Sequence, residues 1–171
     1  MSGHRIVPLT AEQAEDIAGW RHPPPYDTYD VGGDDVCHLL LPHYRYHAVL
    51  DGPEMMGYCC FGEDARVAGG RYDDAVLDVG WGMRPELMGR GLGRGFVDSI
   101  VRFGEERYAP EVMGVTIADF NHRSQRVAAG AGFSRETNRF TAPDGMRFVQ
   151  LERGNRTPPP GEPVVHRGNR R

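Results

Sequence analysis

Lysine is missing from this chain. All twenty basic side chains among its 171 residues are arginine, so a nucleotide P-loop, which needs Gly-Lys-Ser/Thr, is excluded. Nothing local requires the absence, and it reads as compositional bias. Cysteine is scarce: Cys37, Cys59 and Cys60 are odd in number, two are adjacent, and no CxxC spacing occurs. A disulfide framework and a zinc site are both disfavoured by that pattern, and no metal is expected. Long apolar runs are missing as well, none approaching the roughly 18 residues that span a bilayer. The first twenty residues carry Glu12, Glu15 and Asp16 and lack a signal-peptide core. A cytoplasmic protein without a membrane partner is the expectation.

What is present is an ordinary globular mixture, 39% apolar and 26% charged, in a length that suits one domain. The net charge of −4 conceals an asymmetry. Residues 1 to 80 hold 14 acidic and 5 basic side chains, a net of −9, and residues 81 to 171 hold 10 and 15, a net of +5. An anionic ligand would favour the second half. The acidic balance and the lack of an aromatic-basic RNA motif argue against a nucleic-acid partner.

Periodicity gives the elements. Thr10 and Gln13 form a capping-box signature ahead of a helical face over 11 to 20, which His22 and three prolines stop. A Tyr- and Asp-rich loop follows, then a short helix near 35 to 41. Residues 45 to 50 and 55 to 61 flank Asp51-Gly52-Pro53 as a hairpin. Over 77 to 83 the alternation is strict: Leu77, Val79, Trp81 and Met83 form a core face, with Asp78, Gly80 and Gly82 opposite. Interior strand glycines mark close approach of a ligand or another backbone. An amphipathic helix from Phe96 to Tyr108, a strand over 112 to 118, a helix from Arg123 to Ala131 ended by Gly132, and an antiparallel pair over 133 to 140 and 146 to 152 complete the pattern. The domain is expected over 1 to 153, followed by a disordered Pro- and Arg-rich tail over 154 to 171. No internal repeat occurs. The histidines of His43-Tyr44-Arg45-Tyr46-His47 enter a strand without a carboxylate motif and read as a strand edge rather than a metal site.

Between the strand at 77 to 83 and the following helix lies Met88-Gly89-Arg90-Gly91-Leu92-Gly93-Arg94-Gly95. Such a loop frees successive backbone N–H groups to converge on an anion, and the helix N-terminus adds partial positive charge. The dinucleotide fingerprint fails, because its last glycine position falls on Arg94 or Phe96. A glycine-rich turn without a ligand is the plain alternative.

The stretch LDVGWGMRPELMGRGLGRGFV resembles the strand, pyrophosphate loop and helix of the GNAT superfamily of acetyltransferases, with Gly91 and Gly93 as the glycines of Gln/Arg-x-x-Gly-x-Gly/Ala. Met88 stands at the Gln/Arg position. Downstream, Asn121-His122-Arg123-Ser124 and Gly132-Phe133 resemble the second signature of that family at matching spacing. The resemblance covers about residues 77 to 133. It implies an α+β fold with a mixed, mostly antiparallel sheet of six or seven strands, helices on both sides, and two central strands splayed to admit the pantetheine arm. It implies acetyl-CoA as co-substrate and an amine acceptor, with cofactor contacts from Gly82, Met83, Met88, Gly89, Arg90, Gly91, Leu92, Gly93, Arg94 and Asn121. Asn121 would hold the pantetheine amide or cap its helix, or do both.

Acetyl transfer needs a neutral amine, since an alkylammonium has no lone pair. Asp78, the ionisable group on the glycine face, is the candidate base; a salt-bridged structural Asp is the alternative. Backbone N–H groups near Gly82 and Met83 are candidate oxyanion donors. The tyrosine that many family members place four residues after Ser124 is Ala128 here, so either Ser124, a water, or a tyrosine from elsewhere such as Tyr26 or Tyr29 protonates the thiolate, or the thiolate leaves without a dedicated acid. Trp20, Tyr26 and Tyr29 are candidate acceptor contacts. The aspartates among 26 to 35 suggest an acidic, aromatic-walled acceptor pocket that favours cationic amines. A non-catalytic acyl-CoA-binding module is the competing reading, and a homodimer is compatible with the chain. Pro- and Arg-rich sequence cannot bury a core, so truncation after Gly154 is expected to leave the melting temperature within about 2 °C of the full chain, as checked by differential scanning calorimetry.

Overall fold

The computed structural model describes residues 3–154. The remainder of the expected tail, 155 to 171, lies outside the described residues. Seven strands form one sheet: β1 (Arg5–Pro8), β2 (His47–Asp51), β3 (Glu54–Phe61), β4 (Val76–Met83), β5 (Val112–Ala118), β6 (Arg135–Thr141) and β7 (Arg147–Gly154), in the order β1-β2-β3-β4-β5-β7-β6. Every neighbouring pair is antiparallel except β4 and β5. Strand β7 extends through Gly154, the last described residue.

The helices form where the pattern placed them. In α1 (Ala11–Ala18) the Thr10 hydroxyl accepts from the Gln13 amide at 3.2 Å and the Gln13 side chain accepts from the Thr10 amide at 3.0 Å. This reciprocal cap satisfies two amides that the helix start leaves open. Short α2 (Val36–Leu39) follows, then α3 (Gly93–Tyr108) and α4 (His122–Gly130). Strand alternation separates the core into two layers. Val49 of β2 joins Phe96, Val97, Ile100 and Ala128 under α3 and α4, whereas its neighbours Ala48 and Leu50 join Ala14, Ile17 and Leu39 under α1 and α2. Helices therefore cover both faces, as expected.

Strand β1 escaped the sequence reading. Arg5-Ile6-Val7-Pro8 is four residues with a proline at its end, and its partners on β2 lie 39 to 45 positions away.

The parallel pair is the exception that shapes the molecule. Its ladder holds only Val76, Leu77 and Asp78 against Val112, Met113 and Gly114. Beyond that point β4 stays with β3, pairing from Val79 to Met83, and β5 stays with β7 along its whole length. Close contact across β3, β4 and α3 fixes where β4 goes. At Gly57 of β3 a Cβ would lie 2.3 Å from the Gly82 carbonyl oxygen and 2.7 Å from the Phe96 ring. Gly57→Ala is expected to destabilise the fold by about 1–3 kcal/mol, the usual cost of overpacking, measured by urea denaturation.

Candidate functional site

Where β4 and β5 part, a cleft of about 490 Å³ runs through the sheet. Gly62 N–H donates to the Asp78 carbonyl at 2.8 Å and Arg84 N–H donates to Met56 at 2.8 Å. Backbone groups alternate along a strand, so those of residues 78, 80, 82 and 84 face β3 and those of Trp81 and Met83 face the gap that β5 has left. This corrects the expectation for Gly82, whose N–H belongs to the β3 ladder opposite Tyr58. The Met83 N–H points into the cleft.

The glycine loop forms one end of the cleft, with Met88, Gly89, Gly91, Leu92, Gly93 and Arg94 in its wall. Gly89 and Gly91 have φ of 74° and 76°, a left-handed conformation that side chains adopt at a cost. At Gly93 a Cβ would meet Val127 at 3.1 Å, so the glycine lets α3 and α4 approach. No side chain caps α3. Its first amides are left for a ligand, with the helix dipole behind them.

The opposite end is roofed by the segment after α1. His22 Nδ1 lies 2.6 Å from Asp30 Oδ1, the His22 amide donates to the same oxygen at 3.0 Å, and Nε2 lies 3.1 Å from the Met83 carbonyl oxygen. Burial pushes the Asp30 carboxyl up, but the hydrogen bonds from the His22 ring and amide outweigh it and hold Asp30 below its ordinary range. Farther along, Tyr26 and Tyr29 pack on Phe120, and Asn121 Nδ2 donates to the Tyr29 hydroxyl at 3.3 Å. Arg123 stacks over Tyr26 at 5.5 Å. The roof is thus fastened to β4 at one end and to the start of α4 at the other. Burial raises the Tyr29 hydroxyl above its ordinary value, and burial does the same more strongly to Tyr58, which lines the cleft below.

Of the residues singled out by sequence, Gly82, Met83, Met88, Gly89, Gly91, Leu92, Gly93, Arg94, Asn121, Ser124, Tyr26 and Tyr29 all line this cleft. Asn121 caps α4, its Oδ1 accepting from the Ser124 amide at 3.0 Å. Arg90 is exposed and lies outside the wall. Trp20 is not a cleft residue either: it is buried under α1 with its ring centroid 6.0 Å from that of Tyr58. Ala128 is wholly buried in the core. His22, Tyr58 and Arg123 were missed. The prolines after His22 drew attention to its role as a helix stop, and nothing local marks Tyr58 or Arg123.

A family model described as "Acetyltransferase (GNAT) domain" matches residues 5–134. The chain belongs to the GNAT acetyltransferase family. No curated protein matches by sequence. Among solved structures, a GNAT-family acetyltransferase from Bacillus anthracis is 14% identical with a TM-score of 0.69, covering 88% of this chain and 94% of that one. The aminoglycoside acetyltransferase AAC(6')-Ib, in complex with paromomycin and acetyl-CoA, is 18% identical with a TM-score of 0.69, over 90% of this chain and 94% of that one. A spermidine N-acetyltransferase chimera from Vibrio cholerae and hSSAT is 14% identical with a TM-score of 0.64, over 89% and 95%. These likenesses agree with the mixed sheet, and the family match makes the protein an N-acetyltransferase.

In this GNAT enzyme Asp78 does not stand free on a bare face. Gly80 and Gly82 are small because Cys60 and Tyr58 of β3 fill the space: a Cβ at Gly82 would lie 2.6 Å from the Tyr58 ring, and one at Gly80 would lie 3.1 Å from Cys60 Sγ. The Asp78 carboxylate lines a separate polar cavity of about 230 Å³ and accepts from Arg66 Nε at 2.8 Å. Asp78 thus lies outside the cleft and takes the salt-bridged arrangement that was the alternative to a base. Burial raises the Asp78 carboxyl, and Arg66 draws it only part of the way back. The folded state therefore holds this proton more tightly than the unfolded chain does. Its contribution to stability is full below the ordinary value of 3.8 and is lost as pH rises through the folded pKa. Asp78→Asn removes that dependence. The wild-type melting temperature minus that of Asp78→Asn is expected to decline on raising pH from about 3 and then to level off by about pH 7, measured in parallel thermal melts.

Proposed function

We propose that this GNAT enzyme transfers the acetyl group of acetyl-CoA to a primary amine by direct attack on the thioester. One observation carries the reading: a single cleft connects an uncapped, glycine-rich helix N-terminus to an aromatic chamber through the gap between β4 and β5. A pyrophosphate suits the amides of the loop from Gly89 to Arg94, with Arg94 and Arg123 as countercharges. An extended arm with amide groups suits the gap, where the backbone of Trp81 and Met83 has lost its ladder partner. The AAC(6')-Ib structure with acetyl-CoA supports the same use of the fold.

At the far end of that arm the Met83 N–H is the donor assigned to the oxygen of the acetyl carbonyl as negative charge develops on it. Ser124 lines the cleft on the α4 side and is the hydroxyl assigned to the departing thiolate, in the place of the tyrosine that Ala128 replaces. The acceptor occupies the chamber of Tyr26, Tyr29 and Tyr58. Its walls are aromatic, as expected, but they contain no carboxylate among the described residues. Asp30 is engaged by His22, and Asp27, Asp34 and Asp35 are exposed. An amine carried on an aromatic or apolar group therefore fits better than a polycation.

Gly91 offers a clean test, because a Cβ there meets nothing within 4 Å and the strain of a substitution lies in its φ of 76°. Gly91→Val is expected to weaken acetyl-CoA binding at least about tenfold in calorimetry, with circular dichroism unchanged. Thiol release by the wild type against an amine panel separates the enzyme from a non-catalytic binding module.

A further inference from the structure

The amine must lose a proton before it attacks, and the group that takes it has no candidate on β4 once Asp78 is placed with Arg66. The titratable groups in the cleft wall are His22, Tyr26, Tyr29, Tyr58, Arg94 and Arg123. Arginine stays protonated, and burial makes Tyr29 and Tyr58 harder to ionise. Imidazole is the side chain whose charge changes near neutrality. We infer that His22, held by Asp30, takes the proton from the acceptor ammonium. This assignment rests on the amine-acetylation reading above.

The hydrogen bonds of the ring say how. Both partners of His22, the Asp30 carboxylate and the Met83 carbonyl, can only accept. With no acceptor bound, both contacts are satisfied when Nδ1 and Nε2 each carry a proton. Loss of the Nε2 proton leaves Nδ1–H on Asp30 and turns the Nε2 lone pair toward a carbonyl that has just lost its donor. An ammonium group resolves that conflict, because it has three N–H bonds. It donates one to Met83 and one to Nε2, and so lodges at the end of β4 that also presents the Met83 N–H. The neutral imidazole selects for the ammonium and then removes its proton.

The balance is complete without another reactant. R–NH3+ gives one proton to Nε2 and becomes R–NH2. The nitrogen lone pair forms the N–C bond, and collapse of the tetrahedral oxyanion breaks the C–S bond. The second proton leaves nitrogen for the thiolate, giving the amide and the free thiol, and His22 returns its proton to solvent. Asp30 is a positioning residue, fixing the tautomer from behind the ring. The other charged groups of the neighbourhood are Arg21 beside His22 in the chain, Arg84 beside Met83 and paired with Asp16, and Arg94 and Arg123 across the cleft.

The test compares two acceptors of nearly equal shape, 2-phenylethylamine, which is protonated at neutral pH, and O-benzylhydroxylamine, which is not. Only the first needs a base before attack. In His22→Gln, kcat/KM for 2-phenylethylamine at neutral pH is expected to fall about 10²-fold and the acid limb of its pH profile to move up to the ionisation of the amine itself, at about pH 10, with acetyl-CoA affinity unchanged. O-benzylhydroxylamine should lose no more than about threefold in the same preparation, so misfolding cannot imitate the result. Asp30→Asn should keep an acid limb, displaced from that of the wild type, and His22→Asn should repeat the pattern of His22→Gln. Equal losses on both acceptors, or an acid limb unmoved in His22→Gln, would overturn the assignment. A wild type that binds acetyl-CoA but releases no thiol with either acceptor would overturn the transferase reading and this assignment with it.

Discussion

A parallel strand pair that stops after three residues is the constraint on which the rest of the molecule depends. Backbone polar groups in a protein interior need partners, and a sheet normally supplies them along its full width. Here β4 follows β3 and β5 follows β7 after Asp78 and Gly114, so the two halves of the sheet diverge with donors and acceptors turned into the space between them. The opening persists because each strand is held on its other side, β4 by Gly57 and the Phe96 ring packed against it and β5 by seven consecutive pairings with β7. Helices α3 and α4 bridge the divergence from one side, and their contact through Gly93 and Val127 brings the glycine loop to the mouth of the gap. The roof segment bridges it from the other.

Much of this was legible in residue order because it rests on local chemistry. The capping box at Thr10, the helical face of Phe96, Val97, Ile100 and Val101, the hairpin at Asp51-Gly52 and the glycines of the loop all declare themselves within a few positions. What failed depends on neighbours distant in the chain. The glycines of β4 look bare until Tyr58 and Cys60 are laid beside them on β3. Asp78 looks isolated until the loop carrying Arg66 folds over it. His22 reads as punctuation before a proline run, and only the return of the chain at Asp30 and the end of β4 gives its ring partners. An alternation pattern reports which residues share a face but not what covers that face.

Local pairing qualifies what a charge count over the chain suggests. The acidic half of the chain contributes the roof, yet several of its aspartates are held by partners of their own: Asp30 fastens His22, Asp16 pairs with Arg84, and Asp64 takes hydrogen bonds from His38 and Tyr46. Net charge over eighty residues averages out such local pairings. Among the described residues the cleft as a whole is lined by phenol rings, an imidazole and two guanidinium groups, without a carboxylate.

Five ion pairs between separate segments of the fold share one property. Arg66 on Asp78, Arg84 on Asp16, Arg135 on Glu152, Arg139 on Asp119 and Arg153 on Glu105 are all guanidinium–carboxylate pairs, and the sequence holds no ε-amine that might have served instead. A guanidinium stays protonated and offers no nucleophilic lone pair to a thioester. A protein whose proposed co-substrate is itself a mild acylating reagent thus keeps its structural cations in a form that reagent does not consume, and its ion-pair network is immune to self-acylation of lysine.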